Sequence, residues 1–165
     1  MHSSTLRVPV EGELFTSNVE ETREIGRQIG AIALPASVLA LVGPLGAGKT
    51  QMAKGVAAGL GIGGVVNSPT FVLMNEHVGR LRMYHIDAYR LDEPEDVLGA
   101  GLLDDRQVHG VVVIEWADRV AEWLPNERLE IHLEPLPREP DRRRLRWIAF
   151  GHAHSRLAHE VLARP

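Results

Sequence analysis

The chain has 165 residues, a formal net charge of −4 and no cysteine. That length suits one domain with a substantial hydrophobic core, the charge argues against broad nucleic-acid binding, and the missing cysteines exclude disulfides and thiolate chemistry. No apolar run reaches the length of a membrane span and the N-terminus lacks a secretory pattern, so a cytoplasmic protein is expected.

Residues 1–12 read as a loose arm, and Glu13 to Ser17 as a short edge strand. Asn18, with Glu21 three residues on, fits the start of a helix running to about residue 33, with Ile25, Ile29 and Ile32 on one face. Leu34-Pro35-Ala36 ends it. Val38 to Val42 is a fully apolar strand, and a helical pattern with Met52, Val56 and Leu60 on one face follows residue 50. Four glycines between residues 59 and 64 stop that helix. Phe71 to Met74 and Leu81 to Asp87 read as two strands joined as a hairpin by Asn75 to Arg80. Asp92 caps a helix to Leu103, with Pro94 in its first turn. Val111 to Ile114 is a second apolar strand, and Arg119 to Leu124 a short helix. Leu129 to Leu133 alternates as a half-exposed strand does, Leu136 to Pro140 is a loop, Arg144 to Phe150 is a strand, and a last helix spans about His152 to Leu162 with Leu157 and Val161 inward. With the G-x-x-x-x-G-K-T run of residues 43–50 after the first apolar strand, the expected architecture is α/β: a P-loop NTPase sandwich of three layers, with helices on both sides of a mixed central sheet.

Between the first apolar strand and its helix lies Gly43-Pro44-Leu45-Gly46-Ala47-Gly48-Lys49-Thr50, a phosphate-binding loop in the strand–loop–helix setting the motif requires. Glycines let successive backbone N–H groups turn inward, and the helix N-terminus adds its dipole. Lys49 brings positive charge to the β- and γ-phosphates, the Thr50 hydroxyl suits Mg²⁺, and Gln51 continues the binding segment. Glu115 ends a buried strand beside this loop, where a carboxylate can hold Mg²⁺ or orient water. Asp87 is a second acid, and the division of metal and water roles between the two stays open. His85 shares the face of Asp87. Thr70, after Ser68-Pro69, is a candidate γ-phosphate or metal sensor, and Arg90 a candidate phosphate or protein contact. No Asn-Lys-x-Asp element points to guanine, so ATP is preferred to GTP. Arg142-Arg143-Arg144 and Arg146 form the dense basic cluster, read either as a solvated sheet edge or as a contact for RNA or an acidic partner. Alternation puts Arg144 and Arg146 opposite Leu145 and Trp147.

The combined pattern resembles the TsaE (YjeE) ATPases of bacterial tRNA threonylcarbamoyladenosine biosynthesis. The matching elements are the phosphate loop, Ser68-Pro69-Thr70-Phe71, His85-Ile86-Asp87-Ala88-Tyr89-Arg90 and Ile114-Glu115-Trp116, in order, over roughly residues 13–135. The resemblance implies a cytoplasmic, Mg²⁺-dependent ATPase that assists modification of adenosine 37. Its partners would be TsaD and TsaB, with tRNA reached through the complex and the chain alone a monomer or weak oligomer. It also implies that Thr50 and Asp87 lie near Mg²⁺, Thr70 in a mobile loop, Glu115 near the hydrolytic water, Trp116 beside the nucleotide and His85 in the site. The family often carries Asp where this chain has Pro44, which lacks an N–H and restricts the loop. The alternative is a small-molecule or nucleoside kinase, which would need an acceptor pocket and an arginine-rich lid.

Overall fold

The computed structural model describes residues 8–64, 66, 74–89, 91, 93, 95 and 105–163. Its sheet is built outward from β2, Ser37–Val42, whose aliphatic residues are buried on both faces. Unbroken apolar character suits a strand covered on both sides. Parallel neighbours flank it: β5, Val111–Glu115, and β6, Arg128–Leu136. Beyond β5 lies β4, Arg82–Asp87, also parallel, and then β3, Met74–Val78, antiparallel. Beyond β6 come the antiparallel strands β7, Glu139–Phe150, and β1, Val10–Thr16. The order is β1-β7-β6-β2-β5-β4-β3, a mixed sheet as expected.

One face carries α1, Val19–Ile32, α2, Lys49–Gly59, and α3, His152–Val161. Leu39, Leu41, Val111 and Val113 point into this layer and meet Ile29, Met52 and Val56. Their alternates, Val38, Ala40, Val112 and Ile114, form a second core with Tyr84, Ile86, Ala117 and Val120. Among the described residues that second face is covered by the 3-10 segment Ala117–Trp123, with Ala88 and Leu91. The helix expected from Asp92 to Leu103 lies outside the described residues except at Glu93 and Glu95, and so do Ser68 to Leu73 and Arg90.

Several boundaries differ from the sequence reading. β1 starts at Val10, inside the expected arm, because Gly12 lets the strand run under the Trp147 ring; an added Cβ there would lie 2.6 Å from Trp147 Cζ2. In the hairpin, Met74–Val78 is itself the strand and the turn shrinks to Gly79–Leu81. Asn75, Glu76 and His77 disguised it, since an edge strand tolerates polar residues. Likewise the expected loop at Leu136 to Pro140 is a turn of Pro137 and Arg138 between longer strands. Pro135 and Pro140 are tolerated because the β6–β7 hairpin has there outrun its outer neighbours, with β2 pairing as far as His132 and β1 only from Arg143. The short helix before Pro125 is 3-10 rather than α, and a 3-10 segment not foreseen spans Asp105–His109.

Asn18 caps α1 as expected, its side chain accepting the Glu21 N–H at 2.9 Å. Ile25 and Ile29 are buried, but Ile32 is half-exposed; the contact with α2 is made by glycines instead. Gly26 and Gly30 face Gly55 and Gly59, four residues apart on each helix. A Cβ added to Gly30 would lie 2.1 Å from the Val56 carbonyl oxygen, and one on Gly55 2.0 Å from that of Arg23. Backbone therefore packs on backbone, which only residues without a side chain permit. On the far side of the helix layer, buried His154 of α3 accepts the Val38 N–H through Nε2 at 3.0 Å, so its proton sits on Nδ1. Burial pushes the His154 pKa down, against a weaker upward pull from Glu127.

Gly30→Ala should destabilise the fold by about 1–3 kcal/mol through overpacking, although alanine is the better helix former. Gly63→Ala, with open space around it, should be near neutral; urea unfolding of both variants checks the contrast. His154 also gives a signed pH dependence. Its folded pKa lies below that of the unfolded chain, so its contribution is complete above about pH 6.5 and is lost as pH falls toward the lowered value. Half-buried His77 is shifted the same way, first by burial and then by His85. Melting temperature should fall between pH 7.5 and 5, and His154→Gln, which keeps an acceptor without titrating, should flatten that slope.

Candidate functional site

At the end of β2 the chain folds back into α2 across Gly43 to Gly48. The Ala47 N–H donates to the Pro44 carbonyl at 3.1 Å, closing a turn with Gly46 at φ +79°. Glycine supplies that positive angle at the third turn position. Gly48, at φ +108°, then opens the helix. Gly43 touches the end of β6, where an added Cβ would lie 2.5 Å from the Leu133 carbonyl oxygen.

Lys49 is buried at the first turn of α2. Its Nζ donates to the carbonyls of Gly43 at 2.5 Å and Pro44 at 2.8 Å, and stands 3.9 Å from the Trp116 ring centre. Burial pushes its pKa down, while the charges of Glu115, Asp118 and Asp87 pull it up. The β4–β5 register sets Asp87 directly beside Glu115. Glu115 is buried and divides its carboxylate: one oxygen accepts from the Thr50 hydroxyl at 2.6 Å, the other lies 2.5 Å from His85 Nε2. Nε2 therefore carries the donating proton, and the buried Nδ1 meets no partner among the described residues. Asp87 accepts the Tyr89 N–H at 2.9 Å. Trp116 follows Glu115 in the left-handed region, φ 58° and ψ 39°, a strain of about 1–2 kcal/mol for a residue with a side chain. Its ring lies against Tyr89, centroids 4.9 Å apart.

These groups border one cavity of about 570 Å³, within the usual range for small-ligand sites. Leu45 to Gln51 form one wall, and Asp87, Tyr89, Glu115 and Trp116 contribute another. Gly43 and Pro44 support Lys49 and are not lining residues. Gln51 lines the cavity and accepts from Arg23 at 2.6 Å. Thr70 lies outside the described residues.

A family model described as threonylcarbamoyl adenosine biosynthesis protein TsaE matches residues 16–145, which hold all these groups. The chain belongs to the TsaE family. The tRNA threonylcarbamoyladenosine biosynthesis protein TsaE of Bacillus subtilis is 42% identical over 149 residues, covering 88% of this chain and 90% of that protein. The Treponema pallidum protein of the same name is 42% identical over 119 residues, 72% of this chain and 88% of its own. A crystal structure of Bacillus subtilis YdiB matches with a TM-score of 0.76 and 36% identity, over 94% of this chain and 96% of that one.

In this TsaE-family chain, Thr50, Asp87 and Glu115 bring a hydroxyl and two carboxylates to one cavity, hard oxygen donors of the kind Mg²⁺ prefers. No three His, Cys, Asp or Glu side chains among the described residues are grouped to hold a metal by themselves. Such a set fits Mg²⁺ sites in which ligand phosphates complete the shell. The sequence reading missed Arg143 and Asp141, which also line the cavity. Arg144 pairs with Glu13 at 2.7 Å and Arg146 with Glu134 at 2.9 Å, on the solvated face of the sheet. Arg143 points the other way, donating to the Ala47 carbonyl at 2.9 Å. The alternation that puts Leu145 and Trp147 inward puts Arg143 inward too, and was the available signal.

His85→Phe should cost about 2–3 kcal/mol in urea unfolding, because it removes a hydrogen bond to a buried carboxylate. Combining it with Glu115→Leu should cost less than the two single changes summed, since no unpaired charge then remains.

Proposed function

We propose that this chain binds ATP with Mg²⁺ in the phosphate-loop cavity and hydrolyses it in support of tRNA N6-threonylcarbamoyladenosine formation at position 37. The observation that carries this reading is the linked set Thr50–Glu115–His85 beside Lys49: a phosphate cation, a metal-type hydroxyl and an oriented carboxylate meet at one cavity. Family membership supplies the pathway.

On this reading, the backbone N–H groups of Gly46 and of Gly48 to Thr50, with the N-terminus of α2, receive the phosphates. Lys49 exchanges the Gly43 and Pro44 carbonyls for phosphate oxygens. Thr50 and Glu115 would hold Mg²⁺, with Asp87 beside them, and the metal would neutralise charge on the β- and γ-phosphates. Both Glu115 oxygens are engaged, one with Thr50, so Glu115 belongs to the metal side and is fixed there by His85. Asp87, at the neighbouring strand end, is then the acid that orients water. That reverses the division implied by the resemblance. Water attacks the γ-phosphorus, the bond to the ADP oxygen breaks, and phosphate leaves. Thr70 senses the γ-phosphate, and Trp116 shields the phosphates from solvent.

Among the described lining residues the arginine is Arg143, whose guanidinium is engaged by the Gly46 and Ala47 carbonyls, so hydrolysis is slow alone and quickened when partners complete the site. The partners are TsaD and TsaB family proteins in the cytoplasm, with tRNA reached through them, and turnover resets the transferase complex between cycles. No helix among the described residues is long and apolar enough to cross a membrane.

The test is phosphate release by the chain with and without TsaD and TsaB proteins. ADP and free phosphate are expected, with Glu115→Ala lowering kcat by about 10²–10³ and Lys49→Ala weakening nucleotide binding. A phosphorylated nucleoside as product would overturn hydrolysis, and normal multiple turnover of tRNA modification with Glu115→Ala would overturn the resetting role.

A further inference from the structure

Two cations hold the carbonyls of the phosphate loop. Lys49 takes the carbonyls of Gly43 and Pro44, and Arg143 takes those of Gly46 and Ala47. We propose that Arg143 is a positioning residue for nucleotide binding, which holds the Gly46–Ala47 backbone so that the Gly48 N–H faces the incoming phosphates. The inference rests on the cavity being a nucleotide site and deepens that reading.

In a trans peptide the carbonyl of one residue and the N–H of the next point in opposite directions, and the described chain has no cis bond. Holding the Ala47 carbonyl on the β7 side therefore directs the Gly48 N–H away from β7. Holding the Gly46 carbonyl fixes the Ala47 N–H, which closes the turn onto Pro44. The loop is otherwise poorly restrained, because glycine is the freest of residues. Any ordering left until the phosphates arrive is subtracted from affinity.

Arg143 is suited to the task. Nε donates to Ala47 at 2.9 Å and Nη2 to Gly46 at 3.2 Å, while Nη1 is tied to its own hairpin through the carbonyls of Pro140 at 2.5 Å and Arg142 at 3.0 Å. The planar fork is thus anchored on β7 and bridges to a loop nearly a hundred residues earlier. A lysine, whose ammonium has three N–H groups on a flexible stem, cannot hold these four carbonyls at once. Arg146, three residues on, faces the other side of the sheet and is spent on Glu134.

The experiment uses the full chain and compares Arg143→Gln, Arg143→Lys, Arg146→Gln and Lys49→Ala. The readouts are affinity for a fluorescent ADP analogue, KM and kcat for ATP, melting temperature, and hydrogen exchange at the Gly48 amide. Arg143→Gln should weaken ADP-analogue binding about tenfold or more, raise KM more than it lowers kcat, and speed Gly48 exchange while core amides of α2 stay protected. Arg143→Lys should restore less than half of the lost binding free energy, and Arg146→Gln should bind as the wild type does. Wild-type affinity in Arg143→Gln overturns the proposal, and so does a loss matched by uniformly faster exchange throughout the fold. If Arg143→Gln fails to fold, Arg143→Lys decides alone: full affinity and slow Gly48 exchange overturn the proposal. Failure of the wild type to bind, or unaltered binding by Lys49→Ala, would instead count against the nucleotide site itself.

Discussion

A buried carboxylate at the end of β5 constrains everything around the cavity. An ionised side chain removed from water costs several kcal/mol unless its oxygens find donors. Glu115 finds two, the Thr50 hydroxyl and the His85 ring. These come from different elements, α2 and β4. Satisfying the carboxylate thus fixes how α2 sits over the sheet and keeps β4 in register with β5, since a slip of one residue would turn His85 to the opposite face. The same two bonds aim Thr50 and hold Glu115 where Asp87 is its strand neighbour. Fold and site share one interaction, so the site is assembled before any ligand arrives.

Two further features hold that arrangement rigid. The glycine seam between α1 and α2 puts backbone against backbone, so α2 can neither roll nor slide without a clash between main-chain atoms. Its first turn, Lys49 and Thr50, is therefore placed by packing some distance from the cavity. Trp116 is the second. Its left-handed backbone lets the chain turn sharply after Glu115 and lays the indole beside the Lys49 ammonium. Strain at such a position persists only where the surroundings over-determine it; here the ring has Lys49 on one side and Tyr89 on the other.

Much of this was legible in the sequence, and the exceptions have physical causes. Unbroken aliphatic runs gave β2 and β5, and strand–loop–helix context gave the phosphate loop. Acids closing two expected strands gave Glu115 and Asp87, and the structure set those strands side by side. Helix periodicity correctly buried Met52, Val56 and Leu60. It failed at Ile32, because the α1 contact is built from glycines, which carry no hydrophobic signal. β3 was misplaced because an edge strand in partial contact with water need not alternate. Arg143 was hidden by its neighbours: four arginines in five residues read as one basic patch, whereas strand alternation divides them between solvent and the loop. Thr70 and the helix expected after Asp92 fall outside the described residues and contribute nothing to this comparison.

The same backbone logic accounts for Pro44. A proline in a phosphate loop looks like a lost donor, since its missing N–H removes one group from the anion nest. In this fold the working atom of residue 44 is the carbonyl, which accepts from the Ala47 N–H and from Lys49. Those two bonds define the turn and the resting place of the lysine. The ring fixes φ at the entrance to the turn, so the unbound loop samples fewer conformations. Arg143 restrains the next stretch, Gly46 and Ala47, from the side. Proline at the entrance and arginine at the side thus act on successive parts of one glycine-rich segment, and both leave the N–H groups from Gly48 onward as its anion-facing surface. What the proline gives up is freedom at residue 44. The cost is expected in steps that need the loop to move, such as product release, more than in the binding of phosphate.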